Sequence, residues 1–184
     1  MDGLPQGLAA RQRNADDALP SVAETDLVAF LRRLPHRPPE PGWRYGSMAR
    51  LLLDVGRLFT PAPWPGGSAP GSPGACYSES AILAEAEGWA YVEGFGWDRR
   101  WFETEHAWCA APGQADALDP TWTPPADAYL GVPLDPRAAA NLMHRHQRPL
   151  LSAEPVALEW LQDGVPEGLL VDCGRPVPAE GAAR

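Results

Sequence analysis

Three residues of the sequence have the side chains that nucleophilic catalysis by a thiol requires: a cysteine, a histidine and an aspartate. Cys76 follows a run of Pro, Gly, Ser and Ala and occupies the first position of a predicted helix. At that position, free backbone N–H groups and the helix dipole stabilise a thiolate. The N–H group of Cys76 could also bind a developing oxyanion. The sequence therefore predicts Cys76 as a nucleophile.

His106 and Asp119 lie on either side of a Pro112-Gly113 turn, which predicts a hairpin. A hairpin centred on that dipeptide places them directly opposite each other on one face, with Cβ atoms about 4.5–5.5 Å apart. At that distance an aspartate can orient an imidazole and fix its tautomer. An odd-length loop or a bulge would place them on opposite faces. We predict His106 as the base and Asp119 as the residue that orients it.

Each of these residues also has an ordinary structural interpretation. A cysteine is often a small buried hydrophobic residue, and a histidine in a strand is often part of the packing. Asp119 precedes Pro120, and Asp-Pro commonly begins a turn. We expect no metal site, because Cys109 and His106 would lie on opposite faces of a strand. We expect no cofactor.

The elements that position these residues follow from the spacing of apolar side chains. Helical spacing predicts helices over 22–34, 47–59, 76–87, 136–146 and 155–162. Strict alternation over 89–97 predicts a strand whose small-residue face (90, 92, 94 and 96) packs under a helix. Two shorter strands are predicted over 105–110 and 115–122, and the Pro- and Gly-rich segment 60–74 is predicted as a loop.

These elements predict an α+β fold in which a small antiparallel sheet packs against helices. The predicted organisation has three parts. Residues 1–40 form an N-terminal arm with a short helix, residues 41–165 form a single α+β domain, and residues 166–184 form an irregular tail.

Composition excludes several classes of partner. The 184 residues carry a formal net charge of −9, and all 15 basic residues are arginine. An acidic chain repels phosphate backbones, so we expect no nucleic acid partner. The sequence contains no apolar stretch long enough for a signal peptide or a membrane span, so we expect a soluble cytoplasmic protein. Three cysteines leave at least one thiol free, and oligomeric state is not indicated.

The pattern of motifs resembles the transglutaminase-like core of the papain-like cysteine hydrolases. The matching segments are Cys76, YVEGF at 91–95, HAW at 106–108 and DPTW at 119–122. Uncharacterised phage and bacterial proteins with EG, HAW and DPTW signatures are similar. The resemblance implies a Cys76-His106-Asp119 triad that acts on a peptide or amide bond through a thioester, by hydrolysis or acyl transfer. It implies a peptide or protein substrate, with Trp108, Trp122 and Glu93 as candidates for the substrate cleft.

A non-catalytic alternative follows from departures from the family pattern. Phe95 stands where tyrosine is common, and no arginine precedes Glu93 in the usual place. The chain could therefore be a catalytically inactive transglutaminase-like interaction module, with a phage- or conflict-associated role as a further alternative. In the inactive module, segment 60–74 or the N-terminal arm would plug the cleft, and Cys76 would be unreactive.

Overall fold

A computed structural model describes residues 19–35, 37–64 and 69–180 of the chain. These residues form five α-helices and six β-strands, and the expected mixed α+β class is confirmed. The helices are α1 (Val22–Arg33), α2 (Met48–Val55), α3 (Cys76–Glu87), α4 (Pro136–His146) and α5 (Glu154–Asp163). The strands are β1 (Arg57–Ala62), β2 (Ala90–Asp98), β3 (Phe102–Ala110), β4 (Asp116–Leu118), β5 (Ala128–Leu134) and β6 (Arg175–Pro176). Predicted features at 1–18, at 65–68 and at 181–184 lie outside the described residues.

The sheet closes into a small barrel. Strands β4, β3, β2, β5 and β1 are neighbours in that order, and β6 extends the sheet beyond β1. A parallel pairing of β1 with β4, in which Ala62 lies opposite Leu118, joins the two ends. The expectation of a simple antiparallel sheet was therefore incomplete, because the closing pair is parallel and involves a strand that the sequence analysis did not predict.

Three strands were not predicted; β6 has only two residues, and β1 and β5 were missed because their apolar residues do not alternate. The predicted helix over 47–59 ends at Val55, and Leu58 and Phe59 belong to β1. Segment 128–134, for which no element was predicted, is the strand β5 between β2 and β1. Every residue of β5 is buried. A strand covered on both faces has a continuous apolar sequence, which cannot be told from a helix by period alone.

The core has two parts, one on each side of the barrel wall. The first contains residues from all five helices and the outward faces of the strands. The second is built mainly from strand residues, including Phe59, Val92, Trp108 and Tyr129, and fills the barrel interior. The small-residue face of β2 contributes to this interior through Ala90 and Val92, so the prediction that it packs under a helix was wrong.

The two ends of the described chain pack on the barrel and on each other. Leu27 and Leu31 of α1 are fully buried, although the sequence analysis assigned this helix to an arm. Glu24 of α1 forms a buried ion pair with Arg175 of β6, and β6 pairs with β1. Thus both the predicted arm and the predicted tail contain residues of the folded body. In the part of the chain that the structure describes, every helix is too short or too polar to cross a membrane.

Candidate active site

Cys76 is the first residue of α3, and the chain before it is fixed by backbone hydrogen bonds. The N–H of Ala75 donates to Ser72 at 3.1 Å, and the N–H of Gly71 donates to the carbonyl of Pro120 at 2.7 Å. The second bond ties this loop to the segment that follows Asp119. Ala75 is the N-cap residue of α3, and its methyl side chain cannot accept a hydrogen bond from the first N–H groups of the helix. The first N–H groups of α3 are therefore available to an oxyanion beside the thiol.

His106 lies between Cys76 and Asp119. Its Nε2 atom is 2.7 Å from Oδ2 of Asp119, and the Cys76 thiol is near enough to the ring to raise the pKa of His106. Because Nε2 is bonded to Asp119, Nδ1 is the ring nitrogen available to the thiol. Burial lowers the pKa of His106, but the interactions with Asp119 and Cys76 outweigh it, and the pKa is raised above its ordinary value. A stronger base is better able to take the thiol proton.

Asp119 is held by hydrogen bonds to both carboxylate oxygens. Oδ1 accepts from the N–H and the hydroxyl of Thr121 at 2.8 and 3.1 Å, and from the N–H of Trp122 at 3.0 Å. Oδ2 accepts from His106 and from the Tyr129 hydroxyl at 2.8 Å. Burial raises the pKa of Asp119, but the bonds to His106, Thr121 and Tyr129 together lower it below its ordinary value. Asp119 is therefore a fixed anion.

The predicted hairpin register was wrong by two residues. Cys109 of β3 lies opposite Leu118 of β4, whereas a turn centred on Pro112-Gly113 would place it opposite residue 116. Strand β4 also ends at Leu118, so Asp119 follows the ladder and is not directly opposite His106. A shift of two residues preserves the face of each side chain, because strand side chains alternate with period two. Asp119 therefore still reaches His106.

Trp122 covers the imidazole. Its indole ring stacks on His106 with ring centroids 3.7 Å apart and an interplanar angle of 18°. A Cβ atom at Gly96 would lie 2.7 Å from this indole, so glycine at that position is what allows Trp122 to approach. His106 is consequently only 1% exposed, while Trp122 is half-buried. The imidazole is shielded from water, and the outer part of the indole remains accessible.

Two separate clefts are lined by sequence neighbours or contact partners of the triad residues. We call the first the aromatic cleft; its volume is about 480 Å³, and its lining includes Pro73, Trp101, Thr104, Thr121, Trp122 and Pro124. We call the second the helix cleft; its volume is about 380 Å³, and its lining includes Gly74, Ala75, Tyr77, Met143, His144 and Arg148. A larger cavity of about 740 Å³ is lined by four arginines and shares no residue with either cleft or with the triad. Volume alone therefore does not identify the reactive site.

The other two predicted cleft residues, Trp108 and Glu93, line neither the aromatic cleft nor the helix cleft. Trp108 is fully buried in the barrel interior, with its ring centroid 4.9 Å from that of Tyr129. Its ring centroid is also 6.5 Å from that of His106, so Trp108 packs beneath the imidazole and does not line a cleft. Glu93 is also buried, and its carboxylate accepts hydrogen bonds from the N–H groups of Leu150 and Leu151 at 2.9 and 2.7 Å. Its observed contacts thus fix the connection between α4 and α5.

Tyr129 is the site residue that sequence reasoning missed. Its hydroxyl donates to Asp119 and accepts from the N–H of Ala126 at 2.9 Å. It belongs to β5, whose continuous apolar sequence AYLGVPL, bounded by polar residues, was the signal that could have indicated a buried strand. Thr121 was included in the motif without a role, and the structure shows it as a double hydrogen-bond donor to Asp119.

The remaining thiols differ from Cys76 in their surroundings. Burial raises the pKa of Cys109 and of Cys173 to about 12. Cys76 is 8% exposed, and it is the cysteine whose thiol raises the pKa of His106. Within the described ranges, no group of three or more His, Cys, Asp and Glu side chains is arranged to hold a metal ion.

Comparison with known proteins gives no relative to this chain. It matches no protein-family model, no curated protein sequence and no solved structure at a significant level. Any functional conclusion therefore depends on the geometry of Cys76, His106 and Asp119 and on what surrounds them.

Proposed function

We propose that the protein is a cysteine hydrolase or acyltransferase that acts on a peptide or amide bond through a thioester, on a core of the transglutaminase-like or papain-like kind. The observation that carries the proposal is the arrangement of three groups. One imidazole lies between a thiol at the start of a helix and a carboxylate at 2.7 Å. This is the order of nucleophile, base and orienting acid that thiol catalysis requires.

In the first half of the reaction, His106 takes the proton of Cys76 and the thiolate attacks the carbonyl carbon of the substrate. A C–S bond forms, and the negative charge on the oxygen is stabilised by free N–H groups at the start of α3. The imidazolium then gives its proton to the leaving nitrogen, and the C–N bond breaks. The products of this half are an amine and a thioester on Cys76.

In the second half, water or a second amine attacks the thioester. His106 removes the proton of that nucleophile, the C–S bond breaks, and the proton returns to the thiol. Asp119 is the positioning residue in both halves. Its Oδ2 atom holds the Nε2–H form of His106, which leaves the Nδ1 lone pair directed towards Cys76.

The rate of Cys76 alkylation by iodoacetamide as a function of pH tests the proposal. Mass spectrometry distinguishes the three thiols, so Cys109 and Cys173 serve as internal controls because both are buried and their pKa values are raised. We expect Cys76 to react rapidly at pH 6, where an ordinary thiol is almost wholly protonated. In His106→Ala the rate at pH 6 should fall roughly 10- to 100-fold, and His146→Ala is the matched control.

The inactive interaction module remains the second candidate, and one observation favours it. Cys76 is only 8% exposed, and Trp122 covers His106. An inactive module predicts that Cys76 reacts no faster than Cys109 or Cys173 and that His106→Ala changes nothing. That outcome would contradict the enzymatic proposal.

A further inference from the structure

The two clefts are lined by neighbours of different triad residues. The aromatic cleft is lined by Trp122, which stacks on His106, and by Thr121, which donates two hydrogen bonds to Asp119. The helix cleft is lined by Gly74, Ala75, Tyr77 and Ser78 at the start of α3, and by residues at the end of α4 and just beyond it. The aromatic cleft is thus lined by residues that contact His106 and Asp119, and the helix cleft is lined by the first turn of α3, which carries the nucleophile.

The different linings of the two clefts indicate which part of the substrate each cleft would bind. In the proposed function, on which this inference rests, His106 must protonate the leaving nitrogen and later deprotonate the attacking water or amine. The nitrogen side of the scissile bond therefore lies towards His106, whose ring is covered by Trp122 of the aromatic cleft. The acyl part is then left to the helix cleft, beside the N–H groups of α3.

The aromatic cleft has the surface of a site for a flat, uncharged group. Trp101, in the turn between β2 and β3, is 74% exposed, and Trp122 forms a second indole surface. The charged residues of the lining neutralise each other. Both oxygens of Asp98 accept from the Arg100 guanidinium, at 3.0 and 2.8 Å, and the backbone N–H of Arg100 donates to Asp98 at 2.7 Å. The volume of about 480 Å³ lies in the range of small-molecule sites.

We propose that the amine part of the substrate, which leaves in the acylation step, carries an aromatic ring that packs against Trp101 and Trp122 in the aromatic cleft. The ring stays with the nitrogen when the C–N bond breaks, and the nitrogen departs with the proton of His106. Trp101 is the specificity-determining residue, because its exposed indole lies at this cleft while its backbone belongs to a turn outside the triad.

Protection of Cys76 from iodoacetamide tests this assignment without requiring turnover. The probes are N-benzylacetamide and its saturated counterpart N-(cyclohexylmethyl)acetamide, which differ only in the aromaticity of the ring. Packing of a ring against aromatic side chains contributes beyond its buried area. We expect N-benzylacetamide to give half-protection at a concentration roughly 2- to 12-fold lower than that of the saturated amide.

Four variants assign the preference to the cleft. Trp101→Ala should abolish the difference between the two amides, and Trp101→Phe should retain it. Phe102→Ala removes an exposed aromatic side chain at the start of β3, next to Trp101 in the chain but outside the cleft lining, and Met143→Ala alters the helix cleft. Both of these variants should keep the wild-type preference.

The outcomes separate this inference from the proposed function. Equal protection by both amides, or a preference that survives Trp101→Ala, would overturn the aromatic assignment while His106-dependent alkylation of Cys76 still supports the enzyme. Loss of the preference in Met143→Ala but not in Trp101→Ala would reverse the orientation of the substrate. Alkylation of Cys76 that does not depend on His106 would overturn the proposed function and the assignment of a leaving amine together.

Discussion

Replacing Asp119 by asparagine exchanges one carboxylate oxygen for an NH2 group and leaves the size of the side chain almost unchanged. The amide oxygen can keep the bonds that Oδ1 accepts from Thr121 and Trp122, which places the NH2 group where Oδ2 faces His106 and Tyr129. An NH2 group donates, so a neutral His106 must accept at Nε2 and carry its proton on Nδ1. That tautomer cannot take the thiol proton of Cys76.

The magnitude of the effect follows from the hydrogen bonds. The bond to His106 survives with its direction reversed, but the buried hydroxyl of Tyr129 loses its acceptor. An unsatisfied buried donor costs about 1–3 kcal/mol. The midpoint of thermal unfolding should therefore fall by about 2–12 °C for a chain of this size. Alkylation of Cys76 at pH 6 should fall as far as in His106→Ala, roughly 10- to 100-fold.

Iodoacetamide kinetics and urea unfolding measure the two effects separately, and Tyr129→Phe supplies the control. In the double variant Asp119→Asn/Tyr129→Phe the hydroxyl without an acceptor is gone, so the loss of stability should be smaller than the sum of the two single losses. Alkylation should remain slow, because the tautomer of His106 is still inverted. Recovery of alkylation in the double variant, or a wild-type pH profile in Asp119→Asn, would refute the tautomer argument.

Three further predictions concern the triad and its surroundings. Gly96→Ala places a methyl group 2.7 Å from the indole of Trp122, so we expect a loss of about 1–3 kcal/mol in urea unfolding and faster reaction of Cys76 with a bulky maleimide. Burial raises the pKa of Glu93, so the free energy of unfolding of the wild type should fall as the pH rises through that raised pKa. Glu93→Gln should make the free energy of unfolding less dependent on pH in this range. The rate of Cys76 alkylation in this variant should stay within about twofold of the wild-type rate. Because the pKa of Asp119 is lowered in the folded state, its ionisation stabilises the fold at pH values above its ordinary pKa of 3.8. This stabilisation is lost as the pH falls through the lowered pKa. The free energy of unfolding of Asp119→Asn should therefore fall less steeply than that of the wild type in denaturation series below pH 5.

Local signals explain which elements could be predicted from the sequence. Helix α3 was predicted with both of its ends, because Gly88 supplies the left-handed residue at its C-terminus with a φ of 68°. Helix α4 was predicted with the correct start, because Asp135 caps it through a 2.9 Å bond to the N–H of Ala138. In both cases a few adjacent residues contain the whole signal.

Barrel closure could not be predicted, because its signal is spread over distant residues. Leu58 and Phe59 continue the apolar spacing of α2, and both are buried in β1 because one side packs on helices and the other fills the barrel. Their neighbours across the sheet, Leu130 and Tyr129 of β5, are more than 60 residues away in the chain. Such a strand shows no alternation, so the period of its apolar residues does not distinguish it from a helix.

The sequence left two interpretations of Asp119 open: it orients His106, or it begins a turn. Both describe its contacts, one for each carboxylate oxygen. Oδ1 forms the turn, since Pro120 has no N–H and the next two amides, of Thr121 and Trp122, donate to it. Oδ2 holds His106. The turn therefore fixes the carboxylate in the orientation that the imidazole requires, and it places Trp122 over the same ring.

The position of Asp119 depends on barrel closure as well as on this turn. Strand β4 is three residues long, and it meets β3 in a single paired position, Cys109 with Leu118. Its longer pairing is with β1, where Ala62 lies opposite Leu118. Tyr129 of β5 then supplies a hydrogen bond to Asp119 from the neighbouring side of the barrel. Local motifs thus specify which residues could react, and the pairing of β1 with β4 brings them within reach of one another.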